Sequence, residues 1–166
     1  MRYILAIVIC LLSITIAQAQ IYRFKVYNST SGLPNNQVYS IFQDHLGYIW
    51  FGTEGGLCRY DGVEYKVFDT KQGLINPIVR AIIEDREHNI WLMTRGGLSR
   101  YDGQKFTNFT TENGLAHNET CSALLAKDGT LWFGTANGLS HYNGEKFTNY
   151  GVNEGLPNGL VGALIQ

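Results

Sequence analysis

The sequence predicts an all-β protein, a partial β-propeller of four-stranded antiparallel blades, and three observations predict it. The first is a sentence written three times in register: WFGTEGGLCRYDG from Trp50, WLMTRGGLSRYDG from Trp91 and WFGTANGLSHYNG from Trp132, a period of 41 residues. Gly-Leu keeps the same period at Gly32, Gly73, Gly114 and Gly155, a second Gly-Leu at Gly56, Gly97 and Gly138, and a tyrosine at Tyr60, Tyr101 and Tyr142. The second is that each period holds four short apolar segments bounded by turn residues, the size and content of one propeller blade. The third is composition: 19 glycines against 3 prolines, with 10 tyrosines and 8 phenylalanines, suit tight turns between short, aromatic-rich strands. A net charge of -1 gives no electrostatic case for nucleic acid.

The elements follow in order. Arg2, the apolar run from Ile4 to Ile16 and the small-x-small site Ala17-Gln18-Ala19 predict a secretory signal peptide over 1–19, with an uncleaved membrane anchor as the competitor. The remainder, 20–166, is expected as propeller and therefore as an exported chain. Phe24 and Tyr27 lie one period before Tyr65 and Phe68, so 21–31 is expected to hold a lone outer strand. Blades are expected over 32–72, 73–113 and 114–154. In the first, Val38 to Asp44, Tyr48 to Thr53, Leu57 to Asp61 and Val63 to Phe68 read as strands a to d. Asp61-Gly62, Asp102-Gly103 and Asn143-Gly144 supply the c–d turns, because glycine and Asx residues tolerate the left-handed backbone that a tight hairpin needs. The tryptophans fall on strand b, where an indole fills the wedge between neighbouring blades. Residues 155–166 open a further unit, with Leu160 to Gln166 read as its strand a, so the chain is expected to correspond to about three and a half blades of a larger ring. A blade face without a neighbour exposes apolar side chains, and missing blades of the same full-length chain, or self-association, are the expected partners.

The unit, G-L-x-x-x-x-V followed by W-F-G-T, G-L, Y-D-G and F, resembles the two-component regulator propeller repeat over nearly all of 20–166. The resemblance implies a periplasmic sensor domain, in a family whose chains continue into an immunoglobulin-like domain, a membrane span and a histidine kinase, and whose members sense oligosaccharides. The second unit departs at Leu92-Met93, and the third at Ala126, where the others have Asp44 and Asp85.

Constant repeat positions build the scaffold, so varied positions on equivalent loops are the candidates for recognition. The d–a and b–c connections share one face of a propeller. That groups Asn35 and Asn36 with His117 and Glu119, the b–c residues Glu54 and Arg95, and the strand-a column Tyr39, Arg80, Cys121 and Gly162. Amide, carboxylate, guanidinium and ring together suit an oligosaccharide or sugar acid, since Arg pairs with carboxylate in a forked geometry. The competing reading for each residue is a solvated loop. A streptogramin-lyase-like enzyme is the rival function and a protein-interaction scaffold a third. His117 alone of the four histidines maps to the chosen face, and His45 and His88 fall in or beside a–b turns. No zinc-ligand spacing, nucleophile elbow or phosphate loop is present, and no cofactor is expected. Cys58 and Cys121 stand at unrelated repeat positions, which favours two buried thiols over a disulfide.

Overall fold

A computed structural model describes residues 24–157 and 159–165; the expected signal peptide and residues 21–23 of the expected outer strand lie outside the described residues. Twelve strands form three separate four-stranded antiparallel sheets. The first blade holds β1 (Val38–Gln43), β2 (Ile49–Thr53), β3 (Leu57–Tyr60) and β4 (Tyr65–Phe68). The second holds β5 (Val79–Glu84), β6 (Ile90–Thr94), β7 (Leu98–Tyr101) and β8 (Phe106–Phe109). The third holds β9 (Thr120–Leu125), β10 (Leu131–Thr135), β11 (Gly138–Tyr142) and β12 (Phe147–Tyr150). Each sheet runs in sequence order, and the first strands β1, β5 and β9 lie against one another, so they are the innermost strands. This is the predicted partial β-propeller.

Two clusters of buried side chains hold the blades together, one at each seam. Trp50 leaves the first blade and meets Tyr101 of the second, while Trp91 leaves the second and meets Phe133 and Tyr142 of the third. Both indoles are almost wholly buried. Trp132, facing outward from the third blade, is half-buried and stacks on Tyr150. The wedge role expected of the tryptophans therefore holds where a following blade is present. At about 25 cal/mol per Å² of apolar surface, burying one such ring is among the largest single contributions a seam receives.

The repeated turn residues have separate tasks. In each c–d hairpin the Asx side chain accepts two backbone amides, those of Val63 and Glu64 at Asp61, of Gln104 and Lys105 at Asp102, and of Glu145 and Lys146 at Asn143. These amide bonds hold the Asp61 and Asp102 carboxyls below the usual carboxylate range. The preceding tyrosine closes the hairpin by donating its hydroxyl to the glycine carbonyl, at 2.7 Å for Tyr101 and 2.8 Å for Tyr142. Strand d, expected from Val63, starts only at Tyr65, because Asp61 takes the amides of Val63 and Glu64. The Gly-Leu pairs at 32, 73 and 114 each end a one-turn 3-10 segment, and the leucine that follows is buried in all three.

Both ends of the described chain differ from expectation in the same way. Residues 24–28 pair with no strand among the described residues, since an outer strand needs an inner neighbour to bond to and none of the described strands lies beside them. The repeat register is nevertheless kept: Tyr27 packs on Tyr60 and Tyr65 as Phe68 packs on Tyr101 and Phe106 one period later. Likewise residues 160–165 form no ladder, yet Val161 donates to the Thr135 carbonyl and its own carbonyl crowds Gly134. Val79 crowds Gly52 in the same manner at the first seam.

Candidate functional site

Backbone bonds confirm that d–a loops and b–c turns share one face. The Glu54 amide donates to the Gln37 carbonyl at 3.1 Å, and the Ala136 amide to the Glu119 carbonyl at 2.9 Å. Each innermost strand also carries a β-bulge at the same repeat position. Register slips between Val38 and Ser40, between Val79 and Ala81, and opposite Gly134 and Thr135, leaving Tyr39, Arg80 and Cys121 as the unpaired residues. A bulge re-aims one side chain and frees it from the pleat, which lets this column change from ring to guanidinium to thiol while the ladder stays intact.

Three of the candidate residues come together across the second seam. Glu119 Oε1 accepts from Arg80 at 2.8 Å and lies 3.7 Å from Arg95 Nε. Arg80 reaches from its bulge to Cys121 Sγ, at 3.4 Å, one blade on. Burial alone would lower the Arg80 pKa, but the bonds and charges of Cys121 and Glu119 more than reverse this and hold it above the ordinary value. Two guanidiniums face one carboxylate, and the Arg95 side chain remains 54 % exposed. The cluster therefore carries a surplus positive charge available to an anion.

The remaining candidates are placed differently. Asn35 and His117 occupy one repeat position together with Asn76, and each uses a side-chain acceptor on the backbone amide two residues on. His117 does so through Nδ1 at 3.0 Å, which leaves the proton on Nε2. Asn36, like Asn118, accepts an amide from the preceding 3-10 segment, Ser29 in one case and Thr111 in the other. Tyr39 accepts from Gln37 Nε2 at 2.8 Å, and Glu54 is exposed with Arg95 and Ala136 at its repeat position. Loop shape thus engages Asn35, Asn36 and His117, while Arg80, Arg95 and Glu119 form the charged group.

Two crevices open elsewhere, on the face of the a–b and c–d turns. A crevice of about 430 Å³ at the second seam is lined by Asp85, Asn89, Trp91, Arg100, Asp128 and Thr130. Its counterpart of about 240 Å³ at the first seam is lined by Asp44, His45, Tyr48, Trp50, Arg59 and His88. These are equivalent spaces one period apart, left where blades diverge from the inner strands, and none of the eight candidate residues lines them.

Cys58 and Cys121 are free, and only Cys58 is fully buried. Burial pushes the Cys58 thiol up to about 11. Iodoacetamide at pH 8 is expected to alkylate Cys121 in the folded protein and to spare Cys58 until urea is added. Peptide mass mapping reads this, and equal labelling of both thiols in the native state would contradict the packing described.

Comparison with known proteins agrees with this geometry. The family described as two component regulator propeller matches residues 32–55, the first d–a loop through the first b–c turn. Two solved structures extend the likeness to most of the chain. The extracellular domain of the hybrid two-component system BT3049 from B. thetaiotaomicron matches at 25 % identity and a TM-score of 0.77, over 86 % of this chain and 20 % of that one. The matched segment, 32–55, is similar to a two-component regulator propeller repeat. The extracellular domain of the hybrid two-component system BT4673 from the same organism matches at 25 % identity and a TM-score of 0.71, over 89 % of this chain and 21 % of that one. The propeller described here thus spans about a fifth of the length of each of these domains. Virginiamycin B lyase from Staphylococcus aureus, with quinupristin, shares the fold at 17 % identity and a TM-score of 0.63, over 80 % of this chain and 46 % of that one. No curated protein sequence gives a significant match. Among the described residues no helix is long and apolar enough to cross a membrane.

Proposed function

We propose that these repeats form part of the ligand-reading propeller of an exported, periplasmic two-component sensor. The ligand is a sugar acid or an oligosaccharide that carries one, and its occupancy is passed to a histidine kinase. The observation that carries this reading is the Arg80–Glu119–Arg95 group, set on the loop face by a bulge and holding two cations to one anion. A carboxylate on a sugar ring can take the forked donors of Arg95 and compete with Glu119 for Arg80, while neighbouring amides and Tyr39 bond hydroxyls. The likeness to extracellular domains of two-component systems supports the sensor class, and the lyase likeness shows the fold alone. In the same reading the outward face bearing Trp132 is covered by a further blade of this type, from the same polypeptide or from a second copy.

Titration calorimetry with digalacturonate and with neutral maltotriose tests the site. Arg80→Ala and Arg95→Ala are each expected to weaken digalacturonate binding at least about tenfold, the scale of one charge-assisted hydrogen bond, and to leave any maltotriose binding unchanged. Unchanged digalacturonate affinity in both variants, or no binding by the parent protein, rules the charged group out as the ligand contact.

A further inference from the structure

On the opposite face, at the mouth of the first-seam crevice, three side chains from two different blades converge. His45 lies in the turn after β1, Glu84 ends β5, and His88 lies in the turn after β5. Glu84 is their hub. Its Oε1 meets His88 Nδ1 at 2.9 Å and also contacts His45 Nδ1, while its Oε2 accepts the His45 backbone amide at 3.0 Å. The two imidazoles stack with centroids 3.6 Å apart, and one donor atom from each of the three residues lies within 4.8 Å of the others.

His88 is out of place by the logic of the repeat. The equivalent residues are Gly47 and Gly129, at φ 87° and 95°, and His88 adopts φ 65° in the same left-handed region. It is the one residue other than glycine to do so among the described residues, and a β-carbon disfavours that backbone. The turn therefore gains nothing from an imidazole, whereas the seam gains a second nitrogen donor beside Glu84.

We propose that His45, Glu84 and His88 bind a divalent transition metal ion, zinc foremost, which clamps the first blade to the second. Two imidazole nitrogens and one carboxylate oxygen are a donor set that zinc accepts, whereas calcium and magnesium favour oxygen alone. Zinc bonds of about 2.0–2.2 Å place its ligands roughly 3.3 Å apart, so donors that all lie within 4.8 Å of one another need only small side-chain rotations. The ion replaces the contacts that both Nδ1 atoms make with one carboxylate oxygen. Glu84 forms a sheltered base at 12 % exposure, and the histidines, at 38 % and 56 %, leave the mouth open for ion entry and for water as a fourth ligand. The His45 amide on the second carboxylate oxygen fixes the orientation of that ligand.

The test is calorimetry on the full chain, without a polyhistidine tag, using zinc chloride and nickel chloride, together with thermal unfolding. The parent is expected to bind one equivalent, and zinc at 100 times its Kd to raise the Tm by on the order of 5 °C. His88→Gly restores the residue that the other blades use, so it keeps the fold while weakening metal binding at least about tenfold; His45→Ala and Glu84→Gln behave alike toward the metal. Parent affinity no higher than that of His88→Gly overturns the proposal, as does one-equivalent binding kept in both His45→Ala and Glu84→Gln, or no binding by the parent. The outcome is independent of the sugar-acid reading, because Arg80→Ala and Arg95→Ala leave this face untouched.

Discussion

Gly97→Ala is expected to destabilise the protein by about 2–5 kcal/mol, seen as a lower urea midpoint with an unchanged slope. Gly97 holds φ 136°, outside the range that an L-residue enters without strain, and a β-carbon added there drives into the Phe109 carbonyl and comes within 3.3 Å of Ile75 Cδ1. The Phe109 carbonyl belongs to a strand end held by the sheet, so it has little freedom to yield. The Gly97 carbonyl is also committed: it accepts from the Thr94 amide at 3.1 Å, from Thr94 Oγ1 at 2.7 Å and from Thr120 Oγ1 at 3.2 Å. Any shift of the turn to relieve the clash loosens those bonds, the last of which crosses to the next blade. Gly103→Ala serves as the control. Its φ is 95°, but nothing lies within 4 Å of the added carbon, so only the conformational cost of about 1–2 kcal/mol is expected. Equal losses for the two substitutions would mean that crowding at the b–c turn contributes nothing.

That contrast shows which parts of the fold are legible in sequence. Gly56, Gly97 and Gly138, and likewise Gly62, Gly103 and Gly144, announce positive φ because local backbone geometry demands it, and all six have it. Trp, Tyr-Asx-Gly and the two Gly-Leu pairs are equally local signals, repeated three times, and they place twelve strands within a residue or two. Strand formation at the ends is not a local property. Residues 24–28 keep the spacing of a fourth strand, and Tyr27 finds its ring partners, yet a ladder depends on a neighbouring strand, and none of the described strands supplies one.

The candidate site is legible in outline only. Repeat alignment identifies the column 39, 80 and 121 by its variability, and the structure supplies the reason, a bulge in each inner strand. No residue type marks a bulge, since its cause is the register between two strands. Asn35 and His117 illustrate the reverse: they vary in identity but perform one hydrogen-bonding task, so variation there reflects two ways to accept an amide. The His45–Glu84–His88 group is invisible to motif spacing because its members are 39 and 4 residues apart and only blade stacking brings them together.

Asp85→Ala is expected to cost about 2–4 kcal/mol, and the third blade explains why a repeat can nonetheless dispense with this carboxylate. Asp85 is buried and accepts from Trp91 Nε1 at 2.7 Å, from the Glu87 amide at 3.1 Å and from the Asn89 amide at 2.8 Å. Asp44 does the same for Trp50 and for the amides of Leu46 and Tyr48. Removing the carboxylate strands several donors at once. Water from the neighbouring crevice, which Asp85 and Trp91 both line, can reach the freed donors and limits the loss, but the indole of Trp91, a residue only 1 % exposed, still gives up a buried bond to a carboxylate. In the third blade Ala126 stands at this position, and the matching indole, Trp132, is half-buried and able to bond water. Ala126→Asp is therefore expected to gain less than about 1 kcal/mol, because a partner already solvated has little to recover. Pairing Asp85→Ala with Trp91→Phe isolates the indole bond: the double variant should be more stable than additivity allows, by about 1 kcal/mol or more. A loss below about 1 kcal/mol for Asp85→Ala, or strict additivity in the cycle, would show that the repeated Asp–Trp pair does not secure the seam.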